Sequence, residues 1–295
     1  MKKSARYWLK LSVFALAMLA LIPLLVLAGL CYLYITLFTH ISCVRPERTP
    51  AAIGLTRFED VAFQTPDGVT ARGWYVPASN EAVIVLVPGL GGVRDGMFDD
   101  AAMLARQGYG VLMYDSRICN VPGSRDTLGY VETNEFLGAV EYLARRGVKH
   151  IGALGFSEGG VIVIRGAARD ERVQAIVSEG GFHDLAQHML RGGHTSPLRR
   201  WIEWQVMLFY RLDTGVDPAR VSPVTDIGRI GPRPILLIYG ENEAQDGGAP
   251  WLYNAAREPK ELWLVPGAGH GGYAQIAPQA YARRVSSFFE KAFGD

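Results

Sequence analysis

A chain of 295 residues can build one sizeable domain or two small ones. Hydrophobic residues at 49% and charged residues at 20% exclude wholesale disorder. Thirty Lys+Arg against 29 Asp+Glu give a formal net charge of +1, so a nucleic-acid role has no basic field to rest on.

The N-terminal segment must be set apart before any fold is argued. From Leu11 to Phe38 no residue is charged, and nearly every position is Leu, Ala, Val, Ile, Phe or Tyr. As a helix this stretch would measure roughly 42 Å, enough to cross a hydrocarbon core of about 30 Å with tilt. Pro23 and Gly29 are tolerated in a membrane helix. Tyr7, Trp8, Tyr32 and Tyr34 suit the two interfaces. A cleaved signal peptide is the competing reading, but its apolar region would be only about 7–15 residues long. Ala28-Gly29-Leu30-Cys31 also matches a lipoprotein cleavage box poorly, with Leu30 where a small residue is needed. Residues 1–40 are therefore expected to be one uncleaved transmembrane helix. Lys2, Lys3, Arg6 and Lys10 precede the span, and Arg45 and Arg48, diluted by Glu47, follow it. The positive-inside rule then predicts a single-pass protein of the cell membrane with its large domain outside the cytoplasm. Cys43 and Cys119 would both face an oxidising compartment and could pair. Three cysteines are too sparse for a scaffold, however, and two unpaired thiols are the expectation. No Cys/His spacing resembles a metal site.

Residues 41–57 read as a linker, Pro- and Arg-containing and without periodicity. Phe58–Gln64 and Thr70–Val76 flank Pro66-Asp67-Gly68, a hairpin signal. Ala82–Val87 is a continuous apolar run, as a strand buried on both faces would be, and stops at Pro88-Gly89. Asp99–Gln107 reads as helix, Gly110–Tyr114 as strand, and Gly138–Arg146 as part of a helix. His150–Phe156 reads as strand, Val161–Ala168 as helix and Val173–Ser178 as strand. Ile235–Tyr239 and Glu261–Val265 are two further strands, and Ala277–Phe293 is a closing helix. This alternation predicts a mostly parallel sheet with helices on both faces over residues 58–295. Phe182 to Ile230 is too long for a simple crossover and is helical in pattern at Trp201, Trp204, Leu208 and Phe209. It is expected to form a small helical cap over the sheet's C-terminal edge.

Gly155-Phe156-Ser157-Glu158-Gly159-Gly160 is the central motif. A serine hydroxyl is a poor nucleophile until a neighbouring base takes its proton. Exposing it above a sheet takes a sharp strand-to-helix turn, with glycine at positions −2 and +2. Here a strand runs in and a helix runs out. Of six histidines, His40 lies beside the membrane, His150 opens a strand, and His183, His188 and His194 fall in the cap. His270, in the glycine-rich loop after the last strand, is placed to return over the sheet edge as the base. The acid that orients it should follow the penultimate strand. Glu243 is the first candidate there, Asp246 the second and Glu241 the third. The backbone N–H groups of Glu158 and of Leu90, in Pro88-Gly89-Leu90-Gly91-Gly92, are the candidate oxyanion donors.

These motifs, in the order Ser, acid, His, resemble the α/β-hydrolase superfamily over about Phe58 to Phe293. Within it the chain is most similar to bacterial esterases, lysophospholipases and serine-aminopeptidase-like hydrolases. The resemblance implies an eight-stranded, mostly parallel sheet, a cofactor-free mechanism and an acyl-enzyme intermediate. It also implies Ser157 as nucleophile, Glu243 as acid, His270 as base, and Leu90 with Glu158 as oxyanion hole. Three features depart from the pattern. Pro88 stands where a histidine is common, the acid is Glu rather than Asp, and 116–124 lacks the glycines that relatives carry after Tyr114-Asp115. The expected reaction is hydrolysis of a carboxylic ester, with a small-molecule ester, lipid or peptide as substrate. Amide or peptide hydrolysis on the same triad and a non-catalytic scaffold are the alternatives.

Overall fold

The computed structural model describes residues 5–189 and 196–294, so His194 lies outside the described residues. Eight strands form one sheet: β1 (Glu59–Gln64), β2 (Thr70–Val76), β3 (Ala82–Val87), β4 (Gly110–Tyr114), β5 (His150–Phe156), β6 (Val173–Glu179), β7 (Ile235–Gly240) and β8 (Lys260–Val265). Their order is β1-β2-β4-β3-β5-β6-β7-β8. The β1–β2 hairpin and the β2–β4 pair are antiparallel, and every later pair is parallel. β3, β4 and β7 are buried at every position, which is why they read as unbroken apolar runs. Strand periodicity divides their side chains between two cores. Val83, Val85 and Val87 face one core, with Phe136, Leu143, Ile164 and Leu252, while Ile84 and Leu86 face the other, with Phe98, Leu104, Val285 and Phe289. The helices Thr133–Arg145, Glu158–Ala167 and Ala249–Ala255 thus cover one face, and Phe98–Arg106 and Pro278–Phe293 the other.

Between β6 and β7 the chain forms the helices Leu185–Met189 and Pro197–Thr214, then short turns back to the sheet. This is the small helical insertion expected from 182–230. Buried Arg165 ties its end to the helix below. Its Nη1 donates to the Arg220 carbonyl at 2.8 Å and lies 3.4 Å from the Asp226 carboxylate.

The N-terminal helix Ala5–Thr39 is long and apolar enough to cross a membrane. Its described side chains from Arg6 to Val26 are exposed. Further along, Cys31 and Ile35 are buried with Leu128, Phe182, Val206 and Tyr210. Tyr32 meets Phe209 edge-on at 5.7 Å. The Thr39 hydroxyl donates to Asp213 at 2.5 Å, and His40 Nε2 lies 2.7 Å from the same carboxylate. The first helix is therefore built into the cap along its last turns.

One expectation is corrected. Cys43 and Cys119 are not free thiols but form a disulfide, closing a loop with a sequence separation of 76. Sparse cysteine argues against a disulfide scaffold but not against one staple between a terminal segment and a distant loop. Residues 116–124, which depart from the expected glycine pattern, lie in the same place. Arg117–Asn120 is a helical turn carrying Cys119, and Arg117 bonds Asp67 at 2.6 Å and Glu135 at 2.8 Å. Loop-closure entropy predicts that Cys43→Ser removes about 4 kcal/mol of stability. Urea unfolding of the variant beside the parent chain, with and without reductant, measures this. The reduced parent should fall to the level of the variant.

Candidate active site

β5 ends at Phe156 and the next helix begins at Glu158, so the turn between them is the single residue Ser157. It adopts φ 55° and ψ −116°, a conformation that costs a non-glycine residue of the order of 1–3 kcal/mol. The surroundings hold it there. The Ser157 N–H donates to the Glu179 carbonyl at 2.6 Å. The turn is so tight that a Cβ at Gly155 would lie 2.1 Å from the Gly159 carbonyl oxygen. One at Gly159 would lie 2.2 Å from the Val87 oxygen. Glycine at both positions is a steric requirement, not a matter of flexibility.

His270 reaches this serine from the loop after β8. That loop is tied to the one after β7 by the N–H groups of Glu241 and Asn242, which donate to the carbonyls of Val265 and Ala268 at 3.0 and 3.1 Å. His270 Nε2 lies 2.9 Å from Ser157 Oγ, and Nδ1 lies 2.6 Å from Glu243 Oε2. An ionised Glu243 can only accept, so Nδ1 carries the proton and Nε2 is left free to take one from the serine. Burial alone would raise the Glu243 carboxyl. Hydrogen bonds from His270, Tyr273 and the Gly240 N–H outweigh it and hold the group below the ordinary glutamate range. Phe156 lies against the imidazole, ring to ring at 5.2 Å. Of the other two acids, Glu241 accepts from the Gly267 N–H at 3.2 Å, and the Asp246 side chain lies outside the described residues.

Leu90 and Glu158 line the same cavity of about 400 Å³ as Ser157 and His270. Gly89 brings the loop after β3 against the serine, since a Cβ there would lie 3.3 Å from Ser157 Cβ. Most of the remaining lining is apolar, with His188 the exception, and it comes from three separate places, including Leu128, Phe182 of the cap, and Tyr34 and Phe38 of the first helix. Sequence reasoning did not find Tyr273, Tyr34 or Phe38. Tyr273 donates to Glu243 Oε1 from three residues beyond His270, a spacing that itself was the available signal.

With this geometry in view, comparison with known proteins is informative. Residues 82–200 match the alpha/beta hydrolase fold family. The protein PA2218 of Pseudomonas aeruginosa is 24% identical over 298 aligned positions, covering 78% of this chain and 80% of its own. YfhR of Escherichia coli K12 is 25% identical over 230, covering 72% and 73%. Among solved structures, the esterase PF2001 of Pyrococcus furiosus superposes with a TM-score of 0.69 at 24% identity, covering 85% of this chain and 97% of its own. The α/β hydrolase GrgF of a Penicillium species gives 0.64 at 20%, covering 81% and 100%. The chain has the α/β-hydrolase fold.

Behind the serine turn lies a second group of acids. Asp126, Glu132 and Glu158 are buried, with carboxylate oxygens within 4.8 Å of one another. By spacing alone they could hold a cation. Their hydrogen bonds fit a proton-sharing cluster better. Glu132 accepts from the Thr127 N–H and hydroxyl at 2.9 and 2.5 Å and from the Gly129 N–H at 3.1 Å. Burial, reinforced by the neighbouring carboxylates, holds Asp126 and Glu158 well above the ordinary range. A carboxyl whose pKa is raised on folding contributes fully below its unfolded value of about 4.3, and that contribution is lost as pH rises towards the folded value. Glu158→Gln should therefore flatten the decline in stability above about pH 5. Urea midpoints measured against pH test this, and a variant curve parallel to that of the parent would contradict it.

Proposed function

We propose that this protein is a serine hydrolase of carboxylic esters, held in a membrane by its N-terminal helix with the catalytic domain outside the cytoplasm. The observation that carries the reading is the relay of Ser157, His270 and Glu243 at 2.9 and 2.6 Å. Ser157 Oγ attacks the ester carbonyl carbon while its proton passes to His270 Nε2. Glu243 steadies the imidazolium, and the N–H groups of Leu90 and Glu158 receive the oxyanion. Collapse breaks the bond to the alcohol, which leaves with the proton from Nε2. Water then attacks the acyl-serine, giving its proton to the same nitrogen, and the acid departs as Ser157 Oγ is reprotonated. The likeness to the Pyrococcus furiosus esterase favours esters over amides. Support for the topology comes from the apolar helix, the basic residues before it and a disulfide, a bond that persists in oxidising compartments.

The test is turnover by the full chain in detergent, using p-nitrophenyl esters of graded length beside aminoacyl anilides. Esters should be cleaved and anilides not, and the reverse would establish the amide reading. Glu243→Gln should lower kcat by about 10³-fold or more. Asp246→Asn should stay within about threefold of the parent. Loss in Asp246→Asn with near-normal Glu243→Gln would move the acid. An alkaline phosphatase fusion after residue 60 should be active, and an inactive fusion would place the domain in the cytoplasm.

A further inference from the structure

The first helix reaches the catalytic cavity, and a simple tether would not. Tyr34 and Phe38 line it together with Ser157 and His270. Tyr34 is also 43% exposed, so it faces solvent as well as the cavity. Position and depth at this point are fixed by a series of contacts. Cys31 and Ile35 are buried against the cap, and the Asp126 N–H donates to the Thr39 carbonyl at 2.9 Å. Ile41 closes onto the oxyanion loop, where a Cβ on Gly91 would lie 2.5 Å from its Cγ2. Two residues later Cys43 is bonded to Cys119, and the N–H groups of Glu47 and Arg48 donate to Asp95 at 3.0 and 3.3 Å. No slack segment separates the helix from the site.

The helix also sets where a bilayer would stand. Its last charge is Lys10. A hydrocarbon core of about 30 Å takes roughly 20 helical residues, which puts the far boundary near Leu30. Tyr34 and Phe38 then lie about 6 and 12 Å beyond it, the first within the headgroup layer and the second just past it. The cap helix alongside presents Leu198 and Trp204 outward, at 57% and 58% exposure.

We propose that the last turns of the N-terminal helix form the acyl-chain wall of the catalytic pocket. Its substrate is then a long-chain carboxylic ester resident in the bilayer, drawn in past Tyr34 and Phe38. The inference rests on the ester-hydrolase reading above. An acyl chain seated on this wall meets Phe38, Leu90, Leu128 and Phe182 before it reaches Ser157, an apolar contact that grows with chain length.

The experiment uses the full chain in phosphatidylcholine vesicles and a long-chain alkyl fluorophosphonate ending in a diazirine. Ser157 Oγ forms the bond to phosphorus, fluoride leaves and the serine proton passes to solvent. After irradiation, the cross-link should map to residues 31–41. Cross-links confined to other segments would overturn the inference while leaving the hydrolase reading standing. Absence of any adduct at Ser157 would remove both. As a second measurement, Phe38→Trp should lower the ratio of kcat/KM for the palmitoyl over the butyryl p-nitrophenyl ester at least tenfold. An unchanged ratio would also overturn it.

Discussion

The whole arrangement depends on one backbone contact, the closure of the chain on itself around Ser157. Gly155 and Gly159 meet so closely that no Cβ fits between them, and β3 presses on the same glycine from the other side. That closure holds the serine at a positive φ and lifts its hydroxyl off the sheet edge. The strain is sustained because the strand before it and the helix after it are both fully packed, with Ala153, Leu154, Val161 and Val163 buried. A rigid serine in turn gives the histidine loop a fixed target. The relay spans three loops, and each is anchored by backbone hydrogen bonds.

A second constraint links the site to the N-terminal helix. The cap, the first helix and the loop after β3 share one apolar cluster: Leu90 and Phe38 pack against a core that includes Ile35, Phe182 and Tyr210. Tyr210 also donates to the Thr127 carbonyl at 2.8 Å, beside the buried acids behind Glu158. Arg165 joins the far end of the cap to the helix that starts at the serine turn. The first helix and the cavity therefore share one body of packed side chains.

Much of this was legible in the sequence because the relevant features are local. Apolar runs ended by glycine or proline marked the strands, and Gly-x-Ser-x-Gly marked the turn between β5 and its helix. What escaped was long-range. The Cys43–Cys119 bond depends on where a linker lies against a loop far along the chain, which spacing does not encode. Tyr273 acts through a hydroxyl whose direction is set by the loop fold. The pocket wall left one trace. The uncharged stretch from Leu11 to Phe38 is longer than a bilayer core needs, by about eight residues at 1.5 Å each. Read as tilt, the surplus carried no function. In the structure it is the part of the helix that lies against the cap and the cavity.

The central claim is that Ser157 is a nucleophile activated by His270 and Glu243. Intact-protein mass spectrometry with a simple alkyl fluorophosphonate tests it without assuming any substrate. The account predicts one adduct per chain, mapped to Ser157, absent in Ser157→Ala and formed far more slowly in His270→Ala. No adduct on the folded chain, or one at a different residue that persists in Ser157→Ala, would contradict it.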